Sequence, residues 1–360
     1  MVARSKHEAP LLGISFLCIC FAFAPSAFAQ AGPDGTAALE DGRTIASSGQ
    51  ASNKLPPGNS HRPLTKVDIE HWMKDLSNWG RWGVNDELGA VHLITPAKRV
   101  EAAALVRRGL SVSLAHNDST EQSIDNNPPF GHKMLTTGAD PSAEFAFDQY
   151  IVSFHTEFIT HLDALSHMFY GDQLYNGFPR RSVTASGAQK LDVLQLKDGI
   201  FTRGILFDIP RLTGRPYLEP EEAIYPEDLD RWAKKAGVTV EPGDVVLIRT
   251  GRWSRRQKSG AFIPSAGLDV TCARWLHQHD VAALGSDAAS DVVPSGVDGV
   301  AMPIHLLSIA SMGMPILDNL DLERLSDVAA EQRQWVFLFT VAPEAVPGGT
   351  GSPVNPTAVF

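Results

Sequence analysis

Fourteen residues from Phe154 to His167, FHTEFITHLDALSH, constrain this chain more than any other stretch. They hold His155, Glu157, His161, Asp163 and His167, with no lysine or arginine among them. In a strand, alternate side chains share a face, so His155, Glu157, His161 and Asp163 are expected to point one way. A turn into helix at Asp163 then puts His167 on the same helical face as that carboxylate. A continuous helix fits worse, because His161 and Asp163 would diverge. Imidazoles and carboxylates converging on one point form the ligand set that suits Zn²⁺ or Mn²⁺. Buried together without a cation, they would have only one another to offset their desolvation.

The N-terminus carries a different signal. Arg4 and Lys6 precede an apolar run from Leu11 to Ala24, and Ala27-Phe28-Ala29 offers a small-x-small cleavage site before Gln30. Residues 1–29 therefore read as a secretory signal, with an uncleaved anchor as the alternative. Cys18 and Cys20 fall inside it, which leaves Cys272 alone in the mature chain and excludes an intrachain disulfide. A chain of this length builds a large enough core without one. Removing residues 1–29 turns 31 basic and 41 acidic residues into 29 and 40, a formal charge of −11. That balance argues against nucleic acid or an anionic membrane as partner.

Residues 30–63 are small, polar and weakly patterned, and read as a flexible leader. No second linker and no repeat follows, so residues 64–360 are expected to form one domain. Ile69, Trp72, Met73 and Leu76 share one helical face, and a second helix starts at the Thr95 N-cap with Pro96 behind it and ends before Gly109. Leu110 to Ala115 reads as a short strand, 117–143 as a long polar loop with a solvated His132, and Phe145 to Phe154 as a strand leading into the histidine-rich stretch. Buried strands are expected at 204–209, 245–248, 281–285 and 334–342, with helices at 226–236, 268–279, 304–312 (carrying His305) and 321–329 (following Asp318). This irregular alternation predicts an α/β fold, a mixed β-sheet core with helices outside. The glycine-rich tail at 347–356 lacks the Gly-Lys-Ser/Thr ending of a phosphate loop, so it is read either as a rigid loop beside a site or as simple chain termination.

Thr160-His161-Leu162-Asp163-Ala164-Leu165-Ser166-His167 resembles the His-x-Asp-x-x-x-His signature of the metal-dependent cyclase family, which includes bacterial kynurenine formamidases and isatin hydrolases. The likeness runs from the Trp-Gly, Asp-Glu-Leu-Gly and Leu-Ile-Thr-Pro segments of 79–96 through GDVVLIRTG at 243–251. It continues through Pro303-Ile304-His305 and Asp318-Asn319-Leu320-Asp321-Leu322 to GGTGSPVNP at 348–356. The resemblance implies a swivelling β/β/α-like single domain that assembles as a homo-oligomer, dimer or tetramer. It implies that His161 and Asp163 are metal ligands, that Asp163 bridges where two ions bind, and that His167 is a second-ion ligand or the proton-transfer residue. His305 and Asp318 complete the site. Where the family has its first-ligand histidine this chain has Glu157, with His155 two residues earlier as a replacement; where members carry Glu or Gln after the late histidine it has Asp318. An extra carboxylate tilts the site from Zn²⁺ towards Mn²⁺.

The expected activity is that of an exported, periplasmic or secreted metal-dependent hydrolase that cleaves an amide, a cyclic amide, or a lactone or ester of a small-molecule substrate. A bound cation lowers the pKa of its water towards about 7, and His167 or His305 shuttles the proton. Trp79, Trp82, Phe169 and Tyr170 are candidates for an apolar pocket wall or for ordinary core packing. The export signal argues against kynurenine as the specific substrate, and no organic cofactor is implied. Two rivals stand beside this reading: a metal-dependent lyase or isomerase on the same scaffold, and a non-catalytic binding protein.

Overall fold

A computed structural model describes residues 64–360. The expected signal at 1–29 and leader at 30–63 lie outside the described residues. Its centre is a nine-stranded mixed sheet built from β1 (Ser111–Ser113), β2 (His161–Asp163), β3 (Ile200–Asp208), β4 (Val245–Arg249), β5 (Ala283–Ser286), β6 (Ile316–Asp318), β7 (Val336–Val341), β8 (Gly351–Pro353) and β9 (Thr357–Val359). The spatial order is β1-β9-β7-β3-β4-β5-β6-β2-β8. The middle strands β3, β4, β5 and β6 run parallel, and the flanking pairs are antiparallel.

Parallel strands covered on both faces need apolar side chains on both, and the sequence supplies them. Ile205, Phe207, Val246, Ile248, Leu284 and Ile316 feed one core, while Leu206, Val245, Leu247, Ala283 and Leu317 feed the other. The first core is closed by α1 (Lys66–Asp75), α2 (Pro226–Ala236) and α3 (Cys272–Gln278), through Ile69, Trp72, Met73, Leu229, Trp232 and Leu276. Local chemistry starts these helices where expected. Thr65 caps α1 in a reciprocal box with Asp68, Thr95 caps the helix Pro96–Ala103, and α2 runs from Pro226 to a left-handed Gly237. The mixed sheet with outer helices in a single domain agrees with the fold class expected from the sequence.

Three expectations fail. The strand expected over 145–154 is only Phe147–Ile151, and it pairs with Gly131–Thr136 in a separate hairpin instead of entering the sheet. The supposed loop at 117–143 therefore contains the six-residue strand Gly131–Thr136, and His132 sits there beside Asp148 at 3.1 Å. No helix starts at Asp163. The backbone N–H groups of Ala164 and Ser166 donate to Thr350 and Leu191, and that of His167 closes a turn on Ala164, so distant partners replace the helical ladder. The helix expected over 304–312 is α-helical only over Pro303–His305 and π-helical from Leu306 to Ser311. Such wide turns recur at functional sites.

Candidate metal centre

Strand β2 lies between β6 and β8, with His161 directly opposite Asp318 and Asp163 opposite Ile316 and Gly351. The alternation of the strand sends Leu162 into the second core and turns His161 and Asp163 to the other face, where Asp318 also points. His305 arrives there from the short helix after Pro303. Its Nε2 lies 3.0 Å from Asp318 Oδ2 and 3.6 Å from Asp163 Oδ2.

His155 reaches the same point by an irregular path. Between Val152 and Thr160 the chain makes no strand pairing. The Asn319 side-chain amide donates to the Thr156 and Ile159 carbonyls, and the Arg252 guanidinium donates to that of Glu157. This bend brings His155 Nδ1 to 2.9 Å from Asp163 Oδ1 and His155 Nε2 to 3.1 Å from the Thr350 hydroxyl. The bend turns Glu157 elsewhere: its carboxylate faces Arg252 at 3.6 Å. His167 stands at the edge, with Nε2 3.9 Å from Asp163 Oδ2 and its ring stacked on that of His155 at 4.1 Å between centroids.

The tail folds back to close this corner. Gly351 pairs with Asp163 in β8, and a Cβ at Gly351 would lie 2.6 Å from the Leu162 carbonyl and 2.9 Å from the His155 ring. The close approach leaves room only for glycine, so the glycine-rich tail is a wall of the site.

Asp163 is fully buried, and its carboxylate oxygens face four imidazoles at 2.9–3.9 Å without a well-aligned hydrogen bond to any of them. Burial resists its ionisation, yet His161, His155, His305 and His167 outweigh that and hold the carboxyl well below the usual range. For His305, burial opposes charge, but Asp318, Asp163 and Asp291 raise the imidazole well above its ordinary value. Burial pushes His167 down to about 4, because the pull of Asp163 is offset by His155, His305 and His161.

The tautomers are set from outside the cluster. His161 Nδ1 donates to the Ile159 carbonyl at 2.8 Å, and His305 Nδ1 lies 2.6 Å from Asp291 Oδ2, which leaves both Nε2 atoms facing Asp163. Asp291 is fixed by the backbone N–H groups of Ile304 and His305, and Asp318 accepts from the Ser290 hydroxyl at 2.8 Å. Sequence reading missed Asp291 and Ser290 as site-shaping residues, because they sit in no periodic or motif relation to the histidines, and it held Thr350 only as part of the GGTGSPVNP stretch.

This donor set fits a divalent cation. His155, His161 and Asp163 bring ligand atoms within 4.8 Å of one another, as do Asp163, His305 and Asp318, and Asp163 belongs to both groups. Buried carboxylate oxygens that face imidazole nitrogens without a well-aligned hydrogen bond are what a cation would complete. His155 and His167 keep 28% and 27% of their side chains exposed, against 5% each for His161 and His305, so the cluster opens towards solvent on the stacked-ring side. Met168 and Leu306, the residues that follow His167 and His305 in the chain, line a cleft of about 800 Å³ together with Phe169, Tyr170 and Met302. Trp79 and Trp82 are not in it. The Trp79 indole donates to the Ala310 carbonyl, and Trp82 stacks on His92.

Comparison with known proteins agrees with the geometry. The Cyclase family profile, described as "Putative cyclase", matches residues 43–291. A crystal structure described as a novel cyclase is 32% identical, with a TM-score of 0.71 over 79% of this chain and 99% of that one. Isatin hydrolase A from Ralstonia solanacearum is 20% identical, with a TM-score of 0.51 over 74% of this chain and 98% of its own. Isatin hydrolase A from Labrenzia aggregata, bound to benzyl benzoate, is 20% identical, with a TM-score of 0.50 over 71% and 94%. At that identity the two hydrolases share the fold. No curated protein matches significantly in sequence. A profile match over more than half of the chain, spanning the His161 to His167 motif, makes this chain a member of the cyclase family.

Proposed function

We propose that the chain is a metal-dependent hydrolase that opens an amide, a cyclic amide, or a lactone or ester. The observation that carries this is Asp163, a buried carboxylate that faces four imidazoles without a well-aligned hydrogen bond to any of them. His155, His161 and Asp163 on one side, and Asp163, His305 and Asp318 on the other, would hold one or two ions of Zn²⁺ or Mn²⁺. When bound, such a cation supplies Lewis acidity, which polarises a carbonyl and lowers the pKa of a water.

The chain's own residues supply the rest. His167 stands on the open side with its imidazole neutral near pH 7, so its Nε2 is free to take a proton from the attacking water and pass it to the leaving nitrogen or oxygen. His305, gripped by Asp291 at Nδ1, keeps its Nε2 aimed at Asp163 and Asp318. Phe169, Tyr170, Met168 and Met302 offer an apolar wall for the acyl portion of a small molecule. The fold shared with isatin hydrolases, whose name records a cyclic amide, supports the C–N branch of this reading. The Arg4 and Lys6 region, the apolar run and the Ala27-Phe28-Ala29 site support export to the periplasm or beyond.

A panel of lactones, formanilides and cyclic imides, followed by mass spectrometry, tests the reaction class. Products heavier than substrate by one water are expected. Elimination or isomerisation without that gain would assign the scaffold to lyase chemistry instead.

Glu157 and His155 make separable predictions. Because His155 contacts Asp163 while Glu157 is engaged by Arg252, His155→Ala is expected to weaken metal binding by more than ~10-fold. Glu157→Gln is expected to leave the metal content unchanged. Titration with Zn²⁺ and elemental analysis of both variants check this, and the opposite ranking would make Glu157 the ligand.

A further inference from the structure

The chain that leaves the metal centre after His167 carries a second kind of chemistry. Phe169 lines the apolar cleft with Met168 and Tyr170, and it also lines a neighbouring cavity of about 580 Å³. Asp172 lines both as well, so the two spaces adjoin. The second cavity adds Arg180 and Arg181 to the wall, two consecutive guanidinium groups.

Arg180 is held in place from three sides. Its guanidinium lies over the Phe169 ring, 4.2 Å from the centroid, and its Nη1 donates to the Gly171 carbonyl at 3.3 Å. Its backbone N–H donates to the Asp172 carbonyl at 2.8 Å. The stacking orients the planar fork and leaves most of its donors open. Among the described residues neither Arg180 nor Arg181 forms an ion pair, whereas Arg211, Arg215 and Arg249 each do. Two like charges on one cavity wall repel each other, and a bound anion offsets that repulsion. The other charged groups along the joined spaces are Lys66 and Glu70 of α1, and Asp172. Lys66 balances Glu70, and the two arginines outweigh Asp172 by a single charge.

We propose that the substrate carries a carboxylate remote from the bond that is cleaved, and that Arg180 and Arg181 hold it while the apolar body lies against Phe169. The inference rests on the reading of the cleft as the substrate site of a metal-dependent hydrolase. It narrows the substrate to an amide, cyclic amide, lactone or ester with an acid group beyond its apolar portion. A guanidinium fork matches a carboxylate through two parallel N–H···O bonds. A surplus of one positive charge suits a monoanion better than a phosphate dianion.

Calorimetric titration of the protein as purified tests this with benzoate, phenylpropanoate and phenylpentanoate, each beside its neutral amide. At least one acid is expected to bind about 10-fold more tightly than its amide, the lower range for a hydrogen bond to a charged group. The preference is expected to shrink at high salt, because both arginines are exposed. Arg180→Gln with Arg181→Gln is expected to abolish it, while Asp163→Asn, which removes the metal, is expected to keep it. A preference that survives the double variant and vanishes with Asp163→Asn seats the carboxylate on the metal and overturns the proposal. No preference for any of the three acids overturns it as well. Failure of the reaction reading shows separately, as a substrate panel that gains no water, and leaves these binding results able to decide the subsite.

Discussion

Asp163→Asn is expected to abolish metal retention and hydrolysis together while the protein stays folded. The substitution keeps the shape of the side chain and removes only the charge on which His155, His161, His167 and His305 converge. Asp163 belongs to both possible ligand groups, so its loss disrupts either arrangement. Removing a single oxyanion donor from an enzyme costs about 10²–10³ in rate, and loss of the whole electrophilic centre is expected to exceed that. Elemental analysis and turnover of the variant, beside its thermal midpoint, check the result. Metal and activity both retained would remove Asp163 from the site.

The second large effect lies away from the chemistry. Arg249, at the end of β4, donates to Asp208 at 2.9 Å and to Glu323 at 2.7 Å, and Asp208 is fully buried. The same Asp208 carboxylate caps the helix Ile209–Thr213 through the Arg211 N–H and accepts from Ser326. Arg249→Met leaves that carboxylate with the more exposed Arg211 guanidinium at 3.1 Å as its remaining partner cation, so the loss is expected at the lower end of the about 3–5 kcal/mol that breaking a buried pair costs. Urea unfolding should show the midpoint falling by that much stability. The double variant with Asp208→Asn should lose less than the two single losses added together, because the charges belong to one network. A loss below about 1 kcal/mol would mean that solvent reaches the pair and screens it.

Several parts of this molecule were legible in the residues. The alternation around Leu162, the Thr65 and Thr95 caps, the Pro226 start and Gly237 stop, and the continuous apolar run of β4 are local rules, and the structure obeys them. The convergence of His161 and Asp163 on one face is equally local. What stayed hidden depends on partners far along the chain. Asn319 holds the backbone at Thr156 and Ile159 and so bends 152–160 out of strand form, and no periodicity near His155 records this. The hairpin captured the apolar residues before His155 because Gly131–Thr136 was available to pair with them. The turn after Asp163 is set by Thr350 and Leu191, which take the backbone donors a helix would have used internally. Register between β2 and β6 places Asp318 opposite His161, although neither residue announces the other. His305 and Asp318 were named through family likeness, whereas Asp291, which fixes His305, had no motif to reveal it.

The most direct test is the position of the ion. Crystals grown with Mn²⁺ or Zn²⁺ should show an anomalous peak within about 2.0–2.3 Å of Asp163 and of at least one of His161 Nε2 and His305 Nε2. Crystals of Asp163→Asn should lack it. An empty centre under saturating metal, or a peak seated elsewhere in the chain, would contradict the account.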